Sequence, residues 1–343
     1  MMRCIKDITE AELAQWLKAH NQPAFRAKQL HAWLYSFTDC ANDFAQMANL
    51  PKALREALSA EFAPCALTPC ERLVDNEDGT VKWLSELLDG NTIETVLIRV
   101  PERSTVCIST QVGCPVRCVF CASGRHGLIR NLTSTEIVEQ VLLASRELKQ
   151  RVDNIVVMGM GEPLLNLDNL LPALNFLYSD DAIMFGQRHV TISTSGIVPG
   201  ILRLAETKSS WNLALSLHAV NDEERAKIIP TEYRYPLEEI FAACEEHRRQ
   251  TNRMLTLEYA LIAGRNDDSE RMSKLSQIAH RLRAKVNLIP CNPAGSNCSA
   301  PALQRCRQCV NELTAQGVQA TLRLSHGRNI IAACGQLRQR SQR

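Results

Sequence analysis

The sequence predicts an α/β protein, in which a partial (β/α) TIM-like barrel follows a small helical N-terminal domain. After Thr105, short apolar runs such as VCIST, NIVVMG and HVTIST alternate with segments of helical periodicity such as TSTEIVEQVLLASRELKQ. This order is typical of parallel strands joined by crossover helices. The cysteine-rich, glycine-rich and polar segments come directly after the apolar runs, so we expect the site at the carboxyl ends of the strands.

The elements divide the chain into four parts. Residues 1–70 carry helical periodicity in TEAELAQWLKAH, FRAKQLHAWLYSF and LPKALREALSAEF, and predict a helical domain. Residues 71–104 hold the alternating runs VKWLSELL and TIETVLIRV, separated by the turn signals NEDG and DGN, and predict a linker of antiparallel strands. Residues 105–325 form the predicted barrel, and residues 326–343 a C-terminal segment.

Composition limits the class of protein. The chain has 343 residues, 45% of them hydrophobic, and a net charge of +2. No apolar stretch approaches the roughly 20 residues of a membrane span, and the first residues lack the apolar core of an export signal, so we expect a cytoplasmic protein with no membrane partner. In a reducing compartment, fourteen cysteines indicate metal or thiol chemistry rather than disulfides. Isolated cysteines are expected to be incidental, namely Cys4, Cys40, Cys65, Cys70 and Cys244.

A cysteine motif follows the first predicted barrel strand. Cys114, Cys118 and Cys121 form C-x3-C-x2-C, which supplies three thiolates and leaves one iron of a four-iron, four-sulfur cluster open. An open iron can chelate the amino and carboxylate groups of S-adenosylmethionine (SAM). A zinc site completed by His126 or Cys107 is the alternative.

A second motif, GMGEP at residues 159–163, also follows a strand. Its glycines allow close approach of a ligand to the backbone, and the Glu162 carboxylate can pair with the ammonium of SAM. A tight turn before a proline is the other interpretation.

A set of motifs in one order resembles the radical SAM superfamily and, within it, the RlmN/Cfr family of adenosine methyltransferases. The motifs are CISTQVGCPVRCVFCASGRHGLIRNLTSTEI, VVMGMGEPLLN, HVTISTSGIVP, LSLHAVNDEER, VNLIPCNPAG and GRNIIAACGQL. The resemblance runs from Phe25 to Leu337 and is greatest to the RlmN branch. It implies a radical SAM barrel, a [4Fe-4S] cluster on the three motif cysteines, and SAM.

The resemblance also implies an activity, namely methylation of C2 of an adenosine in the peptidyl-transferase centre of 23S rRNA. Adenosine in the tRNA anticodon arm is an expected second substrate. Two alternatives are C8 methylation of the same 23S adenosine, as in the Cfr branch, and a zinc-dependent RNA-binding protein without catalysis.

By the same resemblance, Cys334 accepts a methyl group, Cys107 later attacks the Cys334 sulfur, and Glu94 accepts a proton. The residues implied in SAM binding each follow a strand: they are Gly161, Glu162, Ser193, Ser216, Leu217, His218 and Asn292.

The implied partners are protein-free or immature 23S rRNA, tRNA, and an electron donor such as flavodoxin. We expect the helical domain and the tail from Arg338 to contact RNA, because the tail sequence LRQRSQR is basic.

One position departs from the family pattern G-x-D-I-x-A-A-C. Asn329 replaces its aspartate in GRNIIAAC, and we expect this substitution to affect loop order or substrate contacts.

Overall fold

The structure is a computed structural model that describes residues 2–38, 41–179, 186–292 and 298–337. Cys40 and the basic tail from Arg338 lie outside the described residues. The helices are α1 Glu10–Ala19, α2 Arg26–Tyr35, α3 Lys52–Glu61, α4 Ser134–Leu148, α5 Leu167–Tyr178, α6 Val198–Glu206, α7 Asp222–Ile228, α8 Leu237–Thr251, α9 Ser269–Leu282 and α10 Leu303–Ala315. The strands are β1 Arg3–Cys4, β2 Phe62–Ala63, β3 Leu67–Val74, β4 Val81–Leu87, β5 Thr92–Val100, β6 Arg103–Cys107, β7 Gln111–Gly113, β8 Leu128–Asn131, β9 Asn154–Val157, β10 Val190–Thr194, β11 Asn212–Ser216, β12 Thr256–Leu261, β13 Lys285–Pro290 and β14 Ala320–Leu322.

One ten-stranded sheet organises the molecule, in the order β14-β13-β12-β11-β10-β9-β6-β5-β4-β3. Neighbours from β6 through β9 to β14 pair in parallel, as the strand–helix alternation predicted. Within the described residues β14 and β3 are edge strands, so the barrel stays open. The predicted α/β fold with a partial barrel is therefore confirmed.

The segment expected to link two domains continues this same sheet. Strands β3, β4 and β5 pair antiparallel with one another, and β5 pairs antiparallel with β6, the first barrel strand. The backbone hydrogen bonds that join β5 to β6 make these strands an extension of the barrel wall. The extension begins at Leu67, before the predicted segment.

The N-terminal helices have a hydrophobic core of their own. Thr9 and Glu12 form a capping box that begins α1, and the helices bury residues that include Leu17, Leu30 and Leu58. Between this unit and α4, Lys6 pairs with Glu139 with both side chains almost fully buried. Separating a buried ion pair costs free energy, because each charge would be left without its partner. This contact therefore orients the helical unit on the barrel.

Strands β11 and β12 bury consecutive residues, and so both of their faces, which explains their largely apolar runs. All six residues of β12 are buried, Glu258 among them. In the described part of the chain, no helix combines the length and apolar character needed to cross a membrane.

Candidate active site

An open cavity lies at the carboxyl ends of the barrel strands, with about 1010 Å³ of empty space when the solvent at its mouth is included. Its wall brings together most of the residues singled out from the sequence: Cys114, Cys118, Cys121, Gly161, Glu162, Ser193, Ser216, His218, Asn292 and Cys334. The remaining three, Glu94, Cys107 and Leu217, do not line it. Leu217 is fully buried in the core, and its backbone N–H donates to the carbonyl of Glu258.

The cysteine motif occupies a loop closed by the β7–β8 hairpin. The N–H of Cys114 donates to the carbonyl of Gly127 at 2.9 Å. Gly113 has a φ of 79°, and a Cβ there would lie 2.0 Å from the Gly127 oxygen, so only glycine allows the two strands to approach this closely. The hairpin therefore fixes where the loop leaves the barrel.

The three thiols line one cavity, as the ligands of a single cluster of several irons must. Burial raises the pKa of Cys114 to about 12 and that of Cys118 well above its usual value, so both need a cation to become thiolates. Among the described residues, no three His, Cys, Asp or Glu side chains converge on one point as the ligands of a single ion would. A [4Fe-4S] cluster does not require this, because each thiolate binds a different iron. The two residues considered as a fourth zinc ligand, His126 and Cys107, do not line the cavity.

The glycine motif packs tightly against the segment that follows β6. Gly161 has a φ of 107°, and a Cβ there would lie 2.7 Å from Cβ of Gln111. The side chain of Gln111 accepts the N–H of Glu162 at 2.8 Å. The Glu162 carboxylate in turn accepts the N–H of Ser195 at 2.8 Å and that of Leu164 at 3.2 Å. Glu162 is thus held rigidly at the cavity wall, and burial raises the pKa of its carboxyl group.

Three polar side chains follow or end β10 and β11. The hydroxyls of Ser193 and Ser216 lie 3.2 Å apart. His218 accepts the N–H of Ala260 at Nδ1, 3.0 Å away, so its proton is on Nε2. The His218 ring packs edge-on against Phe120 of the cysteine loop, and burial lowers its pKa to about 3. The imidazole is therefore neutral at physiological pH.

The C-terminal segment brings Cys334 to the cysteine loop. The side-chain amide of Asn292 donates to the carbonyl of Cys334 at 3.1 Å, and the N–H of Ala122 donates to the carbonyl of Gly335 at 2.7 Å. Ser325 holds Asn292 in turn, through a 2.8 Å hydrogen bond to Oδ1. These contacts place an exposed Cys334 on the same cavity as the three motif cysteines.

Cys107 ends β6 behind the cavity wall, half-buried. Burial raises the pKa of Cys107 to about 12, and the charge of a Cys334 thiolate would raise it further. Desolvation by the surrounding cavity wall also raises the pKa of the Cys334 thiol, although the residue as a whole is exposed. Arg323 opposes the rise for both thiols. The charges of a Cys334 thiolate and of Arg323 therefore both act on Cys107, in opposite directions.

Glu94 lies on β5, buried against a lysine that the sequence analysis did not single out. Lys82 Nζ lies 3.1 Å from Glu94 Oε1, and the two side chains are 4% and 1% exposed. The same ammonium donates to the carbonyl of Ile331 at 3.0 Å, three residues before Cys334. A lysine between the apolar valine and tryptophan of the predicted strand VKWLSELL was the available signal.

Two further charged residues line the cavity and were also missed, Glu258 on β12 and Arg323 after β14. A carboxylate within the buried run TLEYAL could have indicated Glu258.

The substitution at Asn329 now has a structural explanation. Its side chain and its N–H both donate to the Asp75 carboxylate, at 3.1 and 3.2 Å, whereas an aspartate would repel it.

Comparison with family models gives two matches. Residues 108–275 match the radical SAM superfamily, and residues 5–63 match the N-terminal domain of ribosomal RNA large subunit methyltransferases. The first match covers the cysteine motif and the strands β9 to β12, which form part of the cavity wall.

Relatives match the chain over nearly its full length. A protein of Thermosynechococcus vestitus described as a probable dual-specificity RNA methyltransferase RlmN is 45% identical over 330 residues, 96% of each chain. One of Clostridium novyi with the same description is 41% identical over 338 residues, 98% of each chain. The crystal structure of a radical SAM methyltransferase from Sphaerobacter thermophilus superposes with a TM-score of 0.90 at 42% identity, covering 98% of this chain and 99% of that one.

Proposed function

Because the chain belongs to the radical SAM superfamily and, within it, to the RlmN family of RNA methyltransferases, we propose that it methylates C2 of adenosine in RNA. The proposed substrates are an adenosine in the peptidyl-transferase centre of 23S rRNA and an adenosine in the tRNA anticodon arm. The relatives' description as dual-specificity enzymes supports two RNA substrates, and their RlmN name favours C2 over the C8 position.

The cofactors are those of the superfamily, a [4Fe-4S] cluster and SAM. We assign the cluster to Cys114, Cys118 and Cys121. When bound, the two supply the radical chemistry that makes a methyl group reactive toward a carbon that is not nucleophilic.

The observation that carries the proposal is the position of Cys334 on the cavity that the three motif cysteines also line. A thiolate at this position can take a methyl group from SAM and present it, as S-methylcysteine, toward the cluster. The hydrogen bond from Asn292 to its carbonyl and that from Ala122 to the next carbonyl hold the segment against the cysteine loop.

Cys107 is suited to releasing the product. Once the base carbon is bonded through methylene to the Cys334 sulfur, the Cys107 thiolate attacks that sulfur. A disulfide forms, and the electron pair of the broken sulfur–methylene bond stays with the methylene carbon. That carbon takes up a proton from solvent and becomes the methyl group on the base. For Glu94, the family resemblance supports proton acceptance from the base carbon, with Lys82 as its charge partner.

The proposed SAM-binding groups complement the ligand. The Glu162 carboxylate suits the ammonium of SAM, and the Ser193 and Ser216 hydroxyls suit its polar oxygens. Neutral His218 carries one N–H donor at Nε2, and Gly161 permits the close approach of the ligand.

The proposed partners follow from the activity. The substrate is protein-free or immature 23S rRNA, because a base inside a folded ribosomal centre must be unstacked before it enters a cavity. The matched N-terminal domain supports a contact with RNA through the helical unit. The basic tail, proposed as a further contact, is outside the described residues. We also propose that an electron donor such as flavodoxin supplies electrons to the enzyme. The proposed location is the cytoplasm.

Two cysteine variants test the mechanism in the presence of RNA, SAM and reductant. Cys334→Ala should give neither product nor protein–RNA adduct, because no methyl group is held on the protein. Cys107→Ala should start and then stall, so a covalent protein–RNA species accumulates through Cys334 and is seen with labelled RNA on denaturing gels.

The exposed Cys70→Ala variant is the matched control and should turn over normally. Mass analysis of the digested RNA identifies the methylated carbon. Normal turnover of Cys107→Ala without an adduct, or an adduct with Cys334→Ala, would refute the two-cysteine mechanism, and 8-methyladenosine as product would refute the C2 assignment.

A further inference from the structure

Glu258 is a buried carboxylate with one oxygen left unpaired at the cavity. Its side chain lies within β12, lines the cavity, and is 4% exposed. Oε1 accepts a 3.0 Å hydrogen bond from the side-chain amide of Asn287, whereas Oε2 has no hydrogen-bond partner among the described residues. A buried acceptor without a donor costs free energy, so a bound molecule that supplied a donor here would be stabilised.

The direction of this acceptor is set by the neighbouring strands. The hydroxyl of Thr321 on β14 donates to Asn287 Oδ1 at 2.5 Å, so the amide nitrogen of Asn287 must face Glu258. The chain of hydrogen bonds therefore occupies one carboxylate oxygen and leaves the other, itself buried at the cavity wall, without a donor in the described part of the chain.

Glu258 lines the same cavity as the Cys334 thiol. Arg323, at the end of β14, lines the cavity, and its Nη1 lies 3.5 Å from Met158 Sδ. The charges of Arg323 and Glu258 both act on the pKa of Cys334, the first lowering it and the second raising it. Arg323 also lowers the pKa of Cys107. A base whose carbon bonds to Cys334 must enter the cavity that Glu258 and Arg323 also line.

We propose that Glu258 and Arg323 recognise the target adenine, Glu258 accepting from its exocyclic amine and Arg323 donating to a ring nitrogen beside that amine. The inference rests on the proposed function, because it assigns the groups that recognise the adenine substrate of that reaction by hydrogen bonds. Adenine presents a donor next to acceptors at this edge, whereas guanine and hypoxanthine present a carbonyl, which a carboxylate repels. Burial raises the pKa of Glu258 while Arg323 opposes the rise, and the amine of a bound adenine would further favour the carboxylate.

The unmodified enzyme tests the inference through RNA substrates that differ only at position 6 of the target purine. We expect kcat/KM to fall about tenfold or more when adenosine is replaced by purine riboside, which lacks the amine, or by inosine, which carries a carbonyl. Equal rates for adenosine and purine riboside would overturn the inference. Failure to methylate any RNA adenosine would instead overturn the proposed function itself.

The Glu258→Gln variant tests whether Glu258 is the residue that accepts a hydrogen bond from the exocyclic amine of adenine. Its carbonyl oxygen must face the amide of Asn287, so its own NH2 group points into the cavity as a donor. We expect the preference for adenosine over inosine to shrink by about tenfold or to reverse, with the affinity for SAM unchanged.

Glu238→Gln is the matched control, because the same chemical change falls on a side chain that is 75% exposed and paired with Arg281. It should keep the preference for adenosine. If Glu258→Gln weakens SAM binding and leaves the preference for adenosine intact, Glu258 binds SAM and the inference is wrong.

Discussion

Replacing Lys82 by methionine should destabilise the protein strongly, because it leaves the Glu94 carboxylate buried without its cation. The pair is 3.1 Å apart, with side chains 4% and 1% exposed, and Lys82 also donates to the carbonyl of Ile331. Removing one partner of a buried ion pair costs about 3–5 kcal/mol. Methionine keeps nearly the length and shape of the lysine stem, so the loss of charge is the main perturbation.

Urea unfolding followed by tryptophan fluorescence measures this cost. Trp83, buried beside Lys82 in β4, reports on the strand that carries the pair. A loss of this size should lower the urea midpoint by about 1 M or more. Lys52→Met is the matched control, because Lys52 lies 3.7 Å from Glu56 with side chains 81% and 66% exposed. Such an exposed pair contributes at most about 1 kcal/mol.

The double variant Lys82→Met with Glu94→Leu separates charge burial from packing. With both charges gone, most of the lost stability should return, because neither buried group then lacks a partner. A Lys82→Met midpoint no lower than that of Lys52→Met, or a double variant no more stable than the single one, would contradict the assignment of a buried ion pair.

Three other predictions follow from the site. Replacing any one of the three motif cysteines by alanine should abolish bound iron, acid-labile sulfide and 5′-deoxyadenosine formation, while Cys65→Ala keeps all three; iron and turnover retained in a motif variant would refute the ligand assignment. Gly161→Ala should weaken SAM binding at least tenfold in calorimetry, because its Cβ would meet Gln111 at 2.7 Å with a φ of 107°, and an unchanged affinity would refute a close approach of ligand to this backbone. The pKa of His218 is about 3 in the folded chain and about 6.5 in the unfolded chain. Between these two pH values the unfolded state therefore binds more protons than the folded state. The free energy of unfolding should therefore fall by about 1.4 kcal/mol per unit as the pH drops below 6.5, and His218→Gln should reduce that slope; an identical slope would count against a buried neutral imidazole.

Much of the site could be predicted from the sequence, because the signals are local. The cysteine spacing, the glycines before Glu162 and the alternation of strand and helix each lie within a short stretch of chain, where steric and hydrogen-bonding rules act directly. Parallel barrel strands end at one edge, so residues that follow different strands were expected to meet there. The structure brings Glu162, Ser193 and His218 to one cavity for this reason.

What only the tertiary structure decided is which distant residues face one another. Lys82 contacts Glu94 because the antiparallel register of β4 and β5 makes them diagonal neighbours. Nothing in the local sequence around either residue indicates which residue it pairs with. Glu258 presents one free oxygen only because Thr321 and Asn287, on the next two strands, orient each other. Strand register and side-chain rotation arise from the packing of the whole sheet. By itself, therefore, the sequence determined the fold class, the family and the chemistry of its motifs, and the assembled barrel determined how the charges around that chemistry are paired.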